Sequence, residues 1–287
     1  MESIADEIVS KDVASRASAE RLAAVLCAPE FPAAPHPTSL FPVGHWLLFT
    51  PTTASTELGP DGHPARPADD PYADLPRRMW AGSSIAFRAP IPLEATVNRR
   101  SRTLAVVPKT GASGRLAFAT VRHELSVGTE VALVEKQTIV YREPATANTA
   151  SGAVPLPSAG HARPDSPKPS GWDWVCTERP NEVTLFRYSA LTFNAHRIHY
   201  DVTYATAVEG YPGLVIQGPL LATLLVHGFV RTHPTARITE FTFSAKSPTF
   251  ANEQIHICGR ALGAGEEELA VIAPGGAVAV TAMITYA

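Results

Sequence analysis

Residues able to exchange or hold protons are concentrated in one short segment, residues 191–201. The part from Asn194 to Asp201 contains two histidines, an arginine, an asparagine, a tyrosine and an aspartate. Histidine is the side chain whose unperturbed pKa lies nearest neutrality, so it suits general acid–base work. An amide side chain can position a water or a hydroxyl by hydrogen bonds. We therefore predict a site for proton transfer here.

Two predicted helices follow this segment and would position it. A short helix over 201–208 has Asp201 as a fair N-cap. A second helix over 218–230 has Pro219 in its first turn, where a missing N–H costs nothing. Its apolar side chains cover every face, so this helix must be buried.

Alternating apolar residues predict strands in both halves of the chain. In the second half the predicted strands are 172–176, 183–188, 238–246, 254–261, 267–272 and 277–286. In the first half they are 79–88, 94–107, 115–127 and 130–142. A helix is predicted over 1–28, a Pro-rich connector over 29–42 and a long loop over 52–76, and loops of that length are often functional.

Residues 144–170 are Pro, Ala, Ser and Gly with almost no large apolar side chain, which is typical of a linker. We therefore divide the chain into a half over 1–145, a linker over 146–170 and a half over 171–287. A buried helix followed by an antiparallel meander predicts a sheet wrapped around that helix. This is the hot-dog arrangement, so the predicted fold class is α+β, a double hot-dog. The first half is expected to hold a shorter or degraded helix.

The composition excludes several classes of partner. Charged residues make up 18% of the 287 residues and the net charge is −3, which gives no electrostatic support for nucleic acid or an anionic membrane. The longest apolar run, near 220–226, is far shorter than the roughly 20 residues of a membrane span. Three scattered cysteines and an acidic start favour the cytoplasm, or a mitochondrion if a leader has been removed.

The site segment resembles the motif of MaoC-like hydratases and dehydratases, the hydratase-2 family, which act on enoyl thioesters. That pattern has Asp, any residue, Asn-Pro, an aliphatic residue and His. Here Asn194 stands in the place of the aspartate and His196-Arg197 in the place of Asn-Pro. The residues that match or fit the pattern are Ile198, His199, Asp201 and Ala205. Gln217-Gly218 stands where the family usually has His-Gly.

The resemblance is closer to one branch, the mesaconyl-C4-CoA and itaconyl-CoA hydratases together with hydroxyacyl-thioester dehydratase type 2. It covers roughly residues 40–145 and 170–260. Its first-half motifs lie at residues 77–82, 120–124, 135–137 and 141–143. The resemblance implies a hydro-lyase that hydrates an enoyl-CoA thioester, with a branched C5-dicarboxylic acyl-CoA as substrate.

The resemblance also implies roles for individual residues. His199 is the expected base, Gly218 offers a backbone N–H to the thioester oxygen, and Asn194 positions the water or hydroxyl. Because an amide cannot exchange protons as a carboxylate can, His199 would act as both base and acid, or Asp201 or another carboxylate would help. The residues expected to contact the substrate are Arg197, Tyr200, Gln217, Arg78 and Trp80. Arg197 would pair with a substrate carboxylate.

Structural interpretations of the same residues stay open. His199 could be a structural histidine, Asn194 a turn cap, and Arg197 a solvent-facing side chain; Asp201 fits a helix cap better than an acid. Alternative functions are a 3-hydroxyacyl-thioester dehydratase of fatty-acid or polyketide metabolism, a non-catalytic acyl-thioester binding protein, and a thioesterase. The substrate carrier is CoA or an acyl-carrier protein. No metal or cofactor is expected, and a homodimer is an open alternative.

Overall fold

A computed structural model describes residues 7–26, 38–66, 70, 72–111, 114–143 and 163–287. Within these residues the first half contains β1 (Ile8–Val13), α1 (Arg16–Val25), β2 (Arg77–Phe87), β3 (Thr96–Gly111), β4 (Gly114–Val127) and β5 (Glu130–Arg142). The second half contains β6 (Trp174–Glu178), α2 (Glu182–Thr192), α3 (Gly218–Thr232), β7 (Ile238–Ala245), β8 (Ile255–Gly263), β9 (Glu266–Ile272) and β10 (Val278–Tyr286). Short 3₁₀ turns at Gly44–Leu47, Ser55–Glu57 and Arg197–His199 and a π-helical turn at Tyr204–Val208 complete the description.

The ten strands form one antiparallel sheet in the order β1-β3-β4-β5-β2-β7-β10-β9-β8-β6. Strand β2 pairs with β7 from Gly82 opposite Ser244 to Ala86 opposite Glu240. This pairing joins the two halves of the chain, so their sheets are continuous.

Helix α3 is the central helix of the second half. Every residue from Leu220 to Phe229 is buried, and the helix packs against β8, β9, β10 and also β2 of the first half. The prediction of a fully buried helix starting at Gly218 is confirmed. Within its described residues the first half contains one α-helix, the ten-residue α1, which packs against α2 and the turn Gly44–Leu47. This agrees with the expected shorter helix.

Two sequence predictions are wrong. Residues 1–28 do not form one helix: β1 occupies Ile8–Val13, and α1 begins only after Ser15, whose hydroxyl caps it by accepting from the N–H of Ser18. Residues 183–188 lie in helix α2 rather than in a strand, because Asn181 accepts from the Thr184 N–H at 2.9 Å and starts a helix. The buried side chains of α2 follow helical spacing at Leu185, Tyr188 and Ser189.

The predicted linker and the Pro-rich connector fall mostly outside the described residues. Residues 144–162 and 27–37 are among those the structure does not describe. The domain division therefore stays a prediction. Among the described helices, none is long and apolar enough to cross a membrane.

Candidate active site

One cavity of about 1860 Å³ lies where the two halves meet. The first half lines it with the loop 58–66 and with the start of β2. The second half lines it with the motif segment and the start of α3. Among its lining residues are Asp61, His63, Arg78, Trp80, Asn194, His196, His199 and Gly218. Because both halves contribute, neither half alone forms this site.

His199 is buried at the end of a 3₁₀ turn, and its imidazole has one defined hydrogen bond. Its Nδ1 lies 2.7 Å from the carbonyl oxygen of Val215. A carbonyl can only accept, so the proton is on Nδ1 and the lone pair of Nε2 is free. Burial lowers the pKa of His199 to about 4. The hydrogen bond to Val215 opposes this shift, and the charge of His63 adds to it. The ring is therefore neutral at pH 7 and can accept a proton.

Asn194 follows α2, where Phe193 adopts a left-handed conformation with φ 48° that ends the helix. The Asn194 side-chain oxygen accepts from the backbone N–H of His196 at 3.0 Å. That bond makes Asn194 a turn cap and fixes its orientation. Its amide NH₂ group remains as a donor, and Asn194 lines the cavity.

Gly218 is the first residue of α3, and it lines the cavity beside Trp80 of β2. A Cβ on Gly218 would lie 3.4 Å from the Trp80 carbonyl oxygen, so glycine allows the helix end to approach the strand closely. The first N–H groups of a helix have no intrahelical acceptor. Pro219 has no N–H, the Leu221 N–H donates to the Gln217 carbonyl, and Leu220 does not line the cavity. Gly218 therefore offers the N–H donor to the cavity at this positive helix end.

The structure adds a histidine and an aspartate that the sequence analysis did not single out. Asp61 Oδ2 lies 2.8 Å from Nδ1 of His63, and the His63 ring centroid is 4.3 Å from that of His196. The His196 ring is in turn 5.3 Å from His199. The length of the loop 52–76 was the only sequence signal for this contribution.

His196 is buried, and its pKa falls to about 2, mainly because of desolvation and secondly because of the nearby His63 and His199. It is therefore neutral. Ligand atoms of Asp61, His63 and His196 all lie within 4.8 Å of one another, so these three could hold an ion. Asp61 and His63 already satisfy each other by a hydrogen bond.

Three of the residues expected to bind substrate lie outside this cavity. Arg197 pairs with Asp201 at 2.7 Å, donates to the carbonyl of Pro60 at 2.9 Å, and lies over the Tyr204 ring. Its guanidinium is therefore engaged by neighbours outside the cavity lining, and its pairing with a substrate carboxylate stays a prediction. Asp201 also accepts from the Tyr204 N–H at 3.0 Å, as a helix cap does.

The other two residues outside the cavity are Tyr200 and Gln217. Tyr200 is 49% exposed and does not line the cavity. Gln217 is buried, and its NH₂ group donates to the carbonyl of Leu185 and to the hydroxyl of Ser189, both at 2.9 Å. Gln217 therefore ties the start of α3 to α2 instead of facing substrate. Arg78 and Trp80 do line the cavity, as expected.

A buried carboxylate lies at another part of the cavity wall. Glu135 accepts from Ser83 at 2.7 Å and from the Trp46 ring N–H at 3.1 Å, and it lies 3.2 Å from Nε2 of His45. Burial alone would raise the pKa of Glu135, but the bond and charge of His45 together with Ser83 lower it. Both oxygens of this ionised carboxylate are therefore engaged by Ser83, Trp46 and His45.

Comparison with known proteins identifies the family. A sequence model of the family described as hydroxyacyl-thioester dehydratase type 2 matches residues 43–251. The chain belongs to this family. The mesaconyl-C(4)-CoA hydratase of Chloroflexus aurantiacus is 38% identical over 243 residues, which cover 85% of this chain and 82% of that protein.

A second sequence relative supports the family, and two solved structures support the fold. The mitochondrial hydroxyacyl-thioester dehydratase type 2 of Schizosaccharomyces pombe is 29% identical over 77% of this chain and 78% of that protein. HtdX of Mycobacterium tuberculosis has a solved structure with a TM-score of 0.68 at 17% identity, covering 98% of this chain and all of that one. A MaoC-like dehydratase from Phytophthora capsici gives 0.69 at 16% identity, covering 98% and 95%. These structures confirm the α+β double hot-dog fold, and the family resemblance read from the sequence is confirmed.

Proposed function

We propose that this protein is a hydro-lyase that hydrates an enoyl-CoA thioester or dehydrates the corresponding 3-hydroxyacyl thioester. The observation that carries the proposal is a neutral histidine with a free Nε2 in the same cavity as the N-terminus of a buried helix. Water addition needs both: a base for the water and a donor for the oxygen that becomes negative.

In the proposed reaction these residues act as follows. His199 Nε2 takes a proton from water as the water oxygen bonds to the β-carbon. The electron pair of the double bond moves toward the thioester, whose oxygen becomes an enolate held by the Gly218 N–H and the helix dipole. The Asn194 NH₂ group donates to the attacking oxygen and orients it. The α-carbon of the enolate then takes a proton, either the one now on His199 Nε2 or one from a second group in the cavity, and dehydration is the reverse sequence.

For the substrate we propose a C5-dicarboxylic acyl-CoA such as mesaconyl-C4-CoA or itaconyl-CoA. The name of the Chloroflexus relative supports this class. Among the described residues, Arg78 has no acidic partner within ion-pair distance, and it lies on the cavity wall two residues from Trp80. With Arg197 committed to Asp201, we assign the recognition of substrate anionic groups to Arg78.

The test compares mesaconyl-C4-CoA, itaconyl-CoA and crotonyl-CoA with the purified protein, following the loss of enoyl-thioester absorbance. We expect turnover of a dicarboxylic ester and its loss in His199→Ala. Release of free CoA instead of hydration would identify a thioesterase. Binding of all three esters without turnover would identify a non-catalytic acyl-thioester binding protein.

A second function, a 3-hydroxyacyl-thioester dehydratase of fatty-acid or polyketide metabolism, is favoured by the family match and by the name of the Schizosaccharomyces relative. Turnover of crotonyl-CoA alone would select it. A cytoplasmic location and a homodimer stand beside these as proposals; light scattering on the purified protein measures the assembly.

A further inference from the structure

Hydration requires two proton transfers, and in the site described so far His199 is the one group assigned to both. Hydration takes one proton from water and gives one to the α-carbon. His199 is neutral and can only accept at Nε2 before it reacts. Asn194 cannot exchange protons. A second group within the cavity would therefore separate the two proton transfers.

The loop 58–66 brings such a group against the motif segment. The Arg197 backbone N–H donates to the Asp61 carbonyl at 2.9 Å, and the Arg197 guanidinium donates to the Pro60 carbonyl at 2.9 Å. Gly62 has φ 89°, and a Cβ there would overlap the carbonyl oxygen of Ala195. The loop is thus docked on the residues between Asn194 and His199, with contacts that leave no space for another side chain at position 62.

Within this loop Asp61 controls the orientation of His63. The Asp61 carboxylate accepts from the His63 backbone N–H at 3.0 Å and lies 2.8 Å from Nδ1. Burial alone would raise the pKa of Asp61, but the hydrogen bonds and charge of His63 lower it. An ionised carboxylate at Nδ1 keeps a proton there and leaves Nε2 as the exchanging nitrogen, the arrangement of an aspartate–histidine pair.

His63 also faces the correct neighbours. It lines the same cavity as His199 and Gly218, and its ring contacts His196, which lies edge-on to His199. The charges of Arg77 and Arg78 act on His196 and lower its pKa. Arg77 is paired with Glu209 at 2.6 Å.

We propose that His63 is a second catalytic residue, held by Asp61 as a positioning residue, and that it gives the α-carbon its proton. The inference rests on the proposed hydratase function. His199 takes the proton of water at Nε2 while the C–O bond forms, and the enolate then breaks the Nε2–H bond of protonated His63 to form the α C–H bond. His199 releases its proton to cavity water and His63 takes one up, so the cycle closes without any further reactant.

The test is the steady-state kinetics of His63→Gln with the ester that the wild-type protein turns over best. Glutamine retains a donor for Asp61 but cannot transfer a proton. We expect kcat to fall about 100-fold or more while KM stays within about threefold, in line with the 10²–10⁴ of general acid–base catalysis. Asp61→Asn should lower kcat by about tenfold, also at constant KM.

A rescue experiment separates chemistry from structure. In His63→Ala, added imidazole should restore turnover in a saturable way, because the cavity is large and the missing group is an imidazole. His233→Gln is the matched control: His233 also pairs with a carboxylate, Glu267 at 2.9 Å, but does not line the cavity. It should keep the wild-type kcat.

The outcomes distinguish this inference from the function on which it rests. If wild-type protein hydrates none of the three esters, the proposed function fails. If wild-type protein is active and His63→Gln retains a kcat within about threefold of it, only the role of His63 is overturned. A loss in His63→Ala that imidazole does not restore overturns it equally.

Discussion

At the scale of single residues, environment rather than residue type decides which histidines can act. His199 and His196 are both buried, and desolvation lowers the pKa of both. Of these two, His199 is the one whose Nδ1 is hydrogen-bonded to a backbone carbonyl, which leaves its Nε2 able to accept a proton. Asp61 fixes Nδ1 of His63 in the same way, because its carboxylate oxygen accepts a hydrogen bond from that nitrogen. The sequence shows where the histidines are, but only their hydrogen bonds indicate which ring nitrogen of each can exchange a proton.

The pH dependence of kcat/KM tests the state of His199. A base works when it is deprotonated, and the pKa of His199 is lowered from 6.5 to about 4. We expect the acid limb of the profile to lie near pH 4, with activity still present at about pH 5.5. An acid limb near the ordinary histidine value of about 6.5 would contradict the burial and the hydrogen bond described here.

Acid unfolding needs a control in that experiment. In the unfolded chain a histidine has a pKa of about 6.5. The unfolded state therefore binds more protons than the folded state between the unfolded value of 6.5 and the folded value of about 4, and stability falls as pH falls through that window. Circular dichroism at each pH separates loss of fold from protonation of the base.

Arg197 provides a second prediction at this scale. Its guanidinium contacts Asp201, Pro60 and Tyr204, none of which is substrate. Arg197→Met should therefore reduce turnover of a dicarboxylic ester and of crotonyl-CoA by the same factor, about three- to tenfold, by loosening the loop. A loss confined to the dicarboxylic ester would show instead that Arg197 pairs with the substrate carboxylate.

At the scale of elements, the loop 58–66 is the part of the site that depends most on local backbone geometry. Gly62→Ala should destabilise the docked loop by about 1–3 kcal/mol, because position 62 has positive φ and no space for a Cβ. We expect kcat to fall at least about tenfold. Thermal unfolding and steady-state kinetics measure the two effects.

A glycine with the same backbone requirement serves as the control. Gly128, in the β4–β5 turn, has φ 58°, and a Cβ there would meet no other atom within 4 Å. Gly128→Ala should cost about 1 kcal/mol for the left-handed backbone and leave kcat unchanged. If both variants lose activity equally, docking of the loop is not what the site requires.

The elements also show what the sequence could predict. Helix α3 and the long strands were predictable because their apolar pattern is uniform over many residues. The short apolar run of the α2 region fits the periods of both a strand and a helix, so its pattern wrongly predicts a strand. The Asn181 cap decides in favour of a helix. The docking of Asp61 and His63 was not predictable, since it joins segments far apart in the chain through loop contacts that no periodicity encodes.

At the scale of the whole molecule, the site exists only where the two halves meet. Strand β2 pairs with β7 and packs on α3, so Trp80 and Gly218 are neighbours although they come from different halves. This explains why the second half, which carries the motif, still depends on the first.

The same arrangement makes a prediction about the linker. A protease site inserted within residues 146–170 and then cut should leave the two fragments associated and active, because the β2–β7 pairing and α3 hold them together. Gel filtration and activity before and after cleavage measure this. Separation of the fragments, or loss of activity on cleavage, would show that the β2–β7 pairing and α3 do not hold the two halves together without an intact linker.

The central claim is that His199 in this cavity hydrates an enoyl thioester. The most direct measurement is the initial rate of mesaconyl-C4-CoA hydration at neutral pH by the wild-type protein and by His199→Ala, with both folds verified by circular dichroism. We predict turnover by the wild type and a loss of about 10³-fold or more in the variant. Equal rates in the two proteins, or no hydration by the wild type, would contradict it.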